Sequence, residues 1–323
     1  MLFHFISSNE YVDKVNQTFS GEFLLLGLTF DAHIQVDLFL WFLLVYIVTV
    51  VGNISIILIV RISPMLHIPM YFFLSHLSFS DLCYSSVITP KLLEILIMED
   101  KSITYSSCMT QLTVFSVFGS MECLILALMA CDRSVAVRKP LFYHLIMTDS
   151  LCKQLIASSY SAAVMTSLLN AAFALQLSFC SENSIDHFYC DYPPLLKLSC
   201  SDTSTNELVL LVSVSCVSGI SVVTILISYG YIILTVLGIR SKEGRHKVFY
   251  TCSSHLMVVS VFYGTVLFMY LRPSGKSFSD QDKVVAVFYT VIIPILNPII
   301  YSMRNKELQL ALQKIILRMH DVV

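Results

Sequence analysis

The chain has 323 residues, of which 56% are hydrophobic and 13% charged, with a formal net charge of -2. Soluble chains carry roughly 25% charged residues, so water cannot be the solvent for most of this surface. The balance of charge also excludes a strongly basic nucleic-acid binder, whose phosphate contacts need clustered Lys and Arg.

From the N-terminus, Met1 to Ile6 is apolar but short. It lacks a basic lead-in and soon meets Glu10 and Asp13, so it does not read as a signal peptide. Insertion would rest on the first membrane helix. Asn16-Gln17-Thr18 is a glycosylation acceptor, which fits an N-terminus outside the cell.

Seven apolar stretches of spanning length follow. They run from about Leu38 to Val60, Pro69 to Leu93, Ile103 to Cys131, Leu155 to Phe179, Leu208 to Ile239, Val248 to Leu271 and Val284 to Met303. None alternates apolar with polar as a spanning strand would, so the expected fold is an all-α membrane protein, a seven-helix bundle. From Asn305 onward, Leu308, Leu312, Ile315 and Ile316 recur between Lys and Arg, which predicts a short amphipathic helix on the inner membrane surface. A single domain is expected: residues 1–34 outside, 35–303 the bundle, 304–323 an inner tail. With the N-terminus outside, thirteen of the 20 Lys and Arg fall inside and seven outside, in keeping with the positive-inside rule.

Charges within a membrane are expensive and mark function. Asp81 and Glu122 lie in the second and third stretches. One reading is a polar cluster, with Asn53, that holds a hard cation such as sodium on oxygen ligands. The other is a structural pair sharing a proton. The third stretch ends in Asp132-Arg133, and Arg133 lies eleven residues from Glu122, close to three helical turns, so both face one stripe. In the seventh, Pro298 removes a backbone donor and predicts a kink; Asn297 is placed to satisfy the freed backbone, and Tyr301 lies one turn below.

Cys108 opens the third stretch, and Cys180, Cys190 and Cys200 cluster in the second outside loop, where the compartment is oxidising. Four cysteines allow three pairings. Cys108 with Cys190 would tie the loop to the third helix, and Cys180 with Cys200 would close it on itself. A metal site competes, but no His-rich partner set accompanies it.

Together these residues resemble the rhodopsin-like (class A) G protein-coupled receptors. Gly52-Asn53, Asp81, Asp132-Arg133 and Asn297-Pro298-Ile299-Ile300-Tyr301 stand in that family's order. A narrower resemblance is to the odorant receptors. It rests on Pro69-Met70-Tyr71-Phe72-Phe73-Leu74-Ser75, Leu77-Ser78-Phe79-Ser80-Asp81, Thr89-Pro90-Lys91-Leu92-Leu93, Ser228-Tyr229, Thr251-Cys252-Ser253-Ser254-His255-Leu256 and Pro294 through Asn305. Phe262-Tyr263-Gly264 stands where most class A receptors have Cys-Trp-x-Pro. Two positions depart from the odorant-receptor pattern, Ser134 in place of a tyrosine and Arg138 in place of a cysteine, both at the G-protein face.

The resemblance implies a ligand pocket in the outer half of the bundle. Helical spacing then nominates Phe115, Ser116, Gly119 and Ser120 on the third helix and Tyr263, Val266, Leu267 and Tyr270 on the sixth, with hydroxyls from Ser213 and Thr290. No charged group falls among them, which favours a neutral small molecule, an odorant, over a cationic amine. The resemblance further implies a stimulatory G protein of the olfactory type, cyclic AMP as the signal, the plasma membrane as the location, and coupling through Asp132, Arg133, Tyr229, Asn297, Pro298 and Tyr301. No cofactor is called for. A transporter or channel is the alternative, but the repeat of broken helices typical of transporters is missing from the sequence. No nucleophile and base stand at a spacing that would suggest an enzyme.

Overall fold

The computed structural model describes residues 21–29, 31–180, 183–270, 280–304 and 306–320. Among them are seven long helices and one shorter one. These are α1 (Ala32–Ile62), α2 (Pro69–Ile97), α3 (Tyr105–Arg138), α4 (Asp149–Ala174), α5 (Ser204–Gly238) and α6 (Lys242–Tyr270), then α7 in three pieces, Asp280–Val287, a π-helical turn Phe288–Ile292 and Ile293–Arg304. The shorter helix, α8, covers Lys306–His320. The fold is a seven-transmembrane-helix bundle with a C-terminal helix.

The helices outrun the apolar stretches at most ends, because a chain can stay helical after it leaves hydrocarbon when a side chain caps it. Asp31 caps α1 by accepting from the His33 and Ile34 amides, and Thr104 and Thr148 cap α3 and α4. Two boundaries are corrected. Ile103 and Thr104 belong to a strand, not to α3, and α4 stops at Ala174, so Phe179 lies in the loop, bridged to Ser199. Five helices are long and apolar enough to cross a membrane by length and composition: α1, α3, α4, α5 and α7. Large apolar side chains line the outer faces, among them Leu44 and Val51 on α1 and Leu226 and Leu234 on α5. A water-soluble protein does not leave such faces bare; lipid does.

α3 is the central helix, touching α2, α4, α5 and α6. One packed core fills the Arg133 end of the bundle, around Met121, Ile125 and Met129 of α3. A second fills the disulfide end. There a small sheet caps the bundle, with β1 (Glu22–Leu25) between β2 (Ser102–Thr104) and β3 (Ser184–Ile185), antiparallel to the first and parallel to the second. Strand alternation points Phe23 and Leu25 inward and leaves Glu22 and Leu24 outside. Gly21 and Gly27 end β1 at φ near +80°, a conformation other residues avoid.

Candidate functional site

Three groups of side chains converge inside the bundle. The deepest surrounds the α7 proline. Pro298 cannot donate to the Pro294 carbonyl one turn back. Asn53 of α1 takes over, its Nδ2 donating to that oxygen at 3.1 Å and to the Thr49 carbonyl at 3.0 Å. Gly52 makes room: a Cβ there would lie 3.2 Å from the Pro298 ring. This corrects the role expected of Asn297. Its amide points instead to α2, where Nδ2 donates to both Asp81 carboxylate oxygens at 3.0 and 2.8 Å.

Asp81 also shares a hydrogen bond with Glu122. Two carboxyl groups in such contact need a proton between them. Asn53 Oδ1, Glu122 Oε1 and Asn297 Oδ1 are buried oxygens with no hydrogen-bond partner in the structure. Acceptor oxygens of that kind fit a hard cation as well as a proton. Among the described residues no group of three or more His, Cys, Asp or Glu is placed to hold a metal.

The second group lies toward the other end of α3. Asp132 and Arg133 are both buried. Tyr143, in a short helix beyond α3, donates to Asp132 Oδ1 at 2.7 Å, and burial pushes its own phenol up. Arg133 lies within electrostatic reach of Tyr229, His255 and Tyr301, so two of the other residues named for coupling gather near it, while Asn297 and Pro298 lie in the first group, beside Asp81 and Gly52. His255 joins the Arg133 group. One ring nitrogen, Nε2, faces the Leu126 carbonyl at 3.1 Å, and the other, Nδ1, faces the Tyr229 hydroxyl at 2.7 Å. A carbonyl only accepts, so Nε2 carries the hydrogen and Nδ1 accepts from Tyr229. One histidine thus bonds α6 to α3 and to α5. Arg138 is not idle either: its guanidinium sits 3.9 Å over the Tyr231 ring of α5.

The third group lies toward the disulfides, Cys108–Cys190 and Cys180–Cys200. Gln111 fixes the loop to α2 and α3, donating to the Val87 carbonyl and accepting from the Cys190 amide, both at 2.9 Å. Below this lid, every residue of α3 from Thr113 to Ser120 is half-exposed, whereas the following turns are almost wholly buried. At that level the bundle packs loosely around its central helix.

Phe115, Ser116, Gly119 and Ser120 lie within this half-exposed stretch. Phe115 packs among Tyr84, Tyr189 and Tyr289, with ring centroids 5.1, 5.2 and 6.5 Å away. Two nominated hydroxyls are already engaged. Ser213 donates within α5 to Val209 and faces Asn170 of α4, and Thr290 donates to Ala286. Tyr263 is buried deeper, against the Cys123 carbonyl. The side chains of Val266, Leu267 and Tyr270 lie outside the described residues, as does Asn16.

The sequence reading missed Tyr189, Asp191 and Tyr289. Tyr189 donates to Asp191 Oδ2 at 2.8 Å and also contacts the Tyr289 hydroxyl, which lies 3.5 Å from Asp191 Oδ2. The Tyr192 amide donates to Asp191 Oδ1 at 2.8 Å. Burial pushes the Asp191 carboxyl up, and those hydrogen bonds draw it partly back. No charged group stood among the nominated residues, and Asp191 comes near them through Tyr189, whose ring packs on Phe115. Asp191 is a loop residue, brought over the bundle by its neighbour's disulfide, and helical spacing carries no signal for it.

The comparisons with known proteins agree with this architecture. A family model described as olfactory receptor matches residues 42–319. Olfactory receptor 5AP2 of Mus musculus is 47% identical over 311 residues, covering 96% of this chain and 98% of the relative. Its Homo sapiens namesake is 50% identical over 301 residues, covering 93% and 95%. In fold, the crystal structure of squid rhodopsin aligns with a TM-score of 0.66 at 17% identity, over 88% of this chain and 85% of that one. The chain belongs to the olfactory receptor family.

Proposed function

We propose that the chain is an odorant receptor of the plasma membrane, which binds a small neutral molecule in the hollow against α3 and activates a stimulatory, olfactory-type G protein to raise cyclic AMP. The observation that carries the reading is the open stretch of α3, Thr113 to Ser120, enclosed by aromatic rings and roofed by the disulfide-tied loop. Such a site holds a ligand by apolar contact and a few polar groups. In this reading the disulfide end faces outward and the Arg133 end faces the G protein. Leu141, Phe142 and Leu145 stand exposed beside Arg138 and Lys139 at that inner end and line a hollow of about 510 Å³, an apolar rim suited to a protein partner.

The ligand acts by favouring one of two bundle arrangements. Release of α6 requires the His255 bonds to α3 and α5 to break, which frees Arg133 and Tyr229 to meet the G protein. Asp81 and Glu122 would hold a sodium ion, if one binds, with the amide oxygens of Asn53 and Asn297; the ion would bias the bundle toward rest. The test is cyclic AMP in cells expressing the chain with that G protein, screened against volatile molecules. A saturable response abolished by Arg133→Ala is expected. Ligand-driven cyclic AMP that survives Arg133→Ala would sink the proposal.

A further inference from the structure

A cleft of about 580 Å³ lies between α2 and α3 at the disulfide end of the bundle. Its walls are two facing helical stripes. Val87, Lys91 and Glu94 line it from α2, at spacings of four and three, and Ser107, Thr110 and Val114 line it from α3, at spacings of three and four. Strand β2 closes its upper end. Glu94 and Thr110 are exposed, so the cleft opens on the outside of the bundle, and it shares none of the rings around Phe115. Lys91 belongs to Thr89-Pro90-Lys91-Leu92-Leu93, a run to which neither the ligand hollow nor the coupling group gives a task.

The cleft is polar at one end and apolar at the other. Near β2, Lys91 donates to Glu94 Oε1 at 2.6 Å. An ammonium carries three donors and a carboxylate two oxygens, so the pair keeps N–H groups and Glu94 Oε2 for a further partner. The Ser107 hydroxyl accepts from Thr104 at 2.8 Å, which leaves its own proton for an acceptor. At the other end stand Val87 and Val114. In steps of four the stripes run on to Phe79 and Phe118, whose rings meet edge to face at 6.0 Å, with Phe79 exposed on the bundle surface. From Ser107 to Phe118 the helix rises about 16 Å, close to the hydrocarbon thickness of one leaflet, about 15 Å. Two charges at the head and an apolar trough of leaflet length below match a membrane phospholipid.

Charge decides which phospholipid. The lining holds one cation and one anion, and Asp100 lies within electrostatic reach of the cation. An anionic headgroup would meet Lys91 but face two carboxylates. A zwitterionic headgroup answers both signs, because its phosphate accepts from Lys91 and Ser107 while its ammonium group lies against Glu94. The floor is fixed. Gln111 is buried there, donating to the Val87 carbonyl and accepting from the Cys190 amide, so the cleft is tied to the disulfide loop.

We propose that the α2–α3 cleft binds a zwitterionic phospholipid, its headgroup on Lys91, Ser107 and Glu94 and one acyl chain along Val87, Val114 and Phe118. The test uses the full chain, purified in detergent, and native mass spectrometry with added dioleoyl phosphatidylcholine, dioleoyl phosphatidylglycerol or dioleoylglycerol. It needs no signal, so its outcome is independent of the receptor reading. One phosphatidylcholine should bind at concentrations about tenfold below phosphatidylglycerol, the ratio one charge-assisted hydrogen bond supports, and dioleoylglycerol should bind more weakly than either. Lys91→Gln should weaken phosphatidylcholine by about tenfold. Glu94→Gln should bring the two phospholipids level. Thr110→Trp, which fills the cleft with an indole, should abolish binding.

Phosphatidylcholine held equally by the native chain, Lys91→Gln and Thr110→Trp sits elsewhere on the bundle and overturns the proposal. If Thr110→Trp does not fold, Lys91→Gln decides, since it changes one side chain of an open ion pair. Phosphatidylglycerol bound as tightly as phosphatidylcholine by the native chain overturns the zwitterion assignment, and dioleoylglycerol bound as tightly shows an apolar trough with no headgroup site. A native chain that retains no lipid overturns the proposal outright.

Discussion

Asn53 of α1 donates its side-chain amide to the carbonyl of Pro294 in α7, the oxygen that Pro298 strands by lacking an N–H. The kink of one helix is thus satisfied by another 241 residues away in sequence. Asn53→Leu would leave that buried carbonyl unpaired, a cost of about 1–3 kcal/mol. The thermal midpoint in detergent should fall accordingly. An unchanged midpoint would show that water or a shift of α7 replaces the bond. Gly52→Ala should also destabilise, since its methyl would sit 3.2 Å from the Pro298 ring.

His255 bridges Leu126 and Tyr229, and so joins α6 to both α3 and α5. His255→Leu keeps the bulk and removes both bonds. The expected result is a lower thermal midpoint with higher ligand-free cyclic AMP, because the inner end of α6 loses its ties. Loss of stability with unchanged basal signal would mean that the histidine is a packing element only.

Arg138 occupies the face of Tyr231 at 3.9 Å. At a partly exposed site such a contact contributes about 0.5–1 kcal/mol. A double-mutant cycle with Arg138→Ala and Tyr231→Leu should show that much coupling in thermal unfolding. Strictly additive effects would refute the interaction. Arg138→Cys, the residue more usual in this family, should cost about as much as Arg138→Ala.

His187 is buried in the loop, stacked on Phe188 and edge-on to Tyr189. Burial, with Lys283 adding to it and Asp186 and Asp282 opposing, takes its pKa down to about 3. The neutral ring is therefore the folded form. An opened loop binds the proton near pH 6.5, so the loop's stability is whole above that pH and drains away as the pH falls toward 3. At pH 5 the loss is about 2 kcal/mol. Hydrogen exchange of residues 184–190, corrected for intrinsic rates, should show protection dropping between pH 7 and 5. His187→Phe should flatten the dependence; a flat profile in the native chain would contradict the assignment.

Much of the bundle was legible in the residues. Apolar runs of spanning length cannot be solvated by water, so seven helices followed from composition and length alone. The order of Gly52-Asn53, Asp81, Asp132-Arg133 and Asn297-Pro298 placed the polar interior, because a charged or amide side chain in a membrane helix must turn inward. Which four cysteines share the oxidising side was legible as well, but of their three possible pairings it is the structure that gives Cys108 with Cys190 and Cys180 with Cys200.

Only the tertiary structure decided which partner each polar group takes. Nothing local tells Asn297 to choose Asp81 over its own backbone, or Asn53 to choose Pro294; those bonds exist because α1, α2 and α7 meet at one depth. The strand at Glu22–Leu25 forms because two loops supply its neighbours, and four residues have no strand stability alone. Asp191, Tyr189 and Tyr289 belong to no shared period. A disulfide and a π-helical turn bring them together, and a sequence read helix by helix cannot anticipate contacts that only the closing of a loop creates.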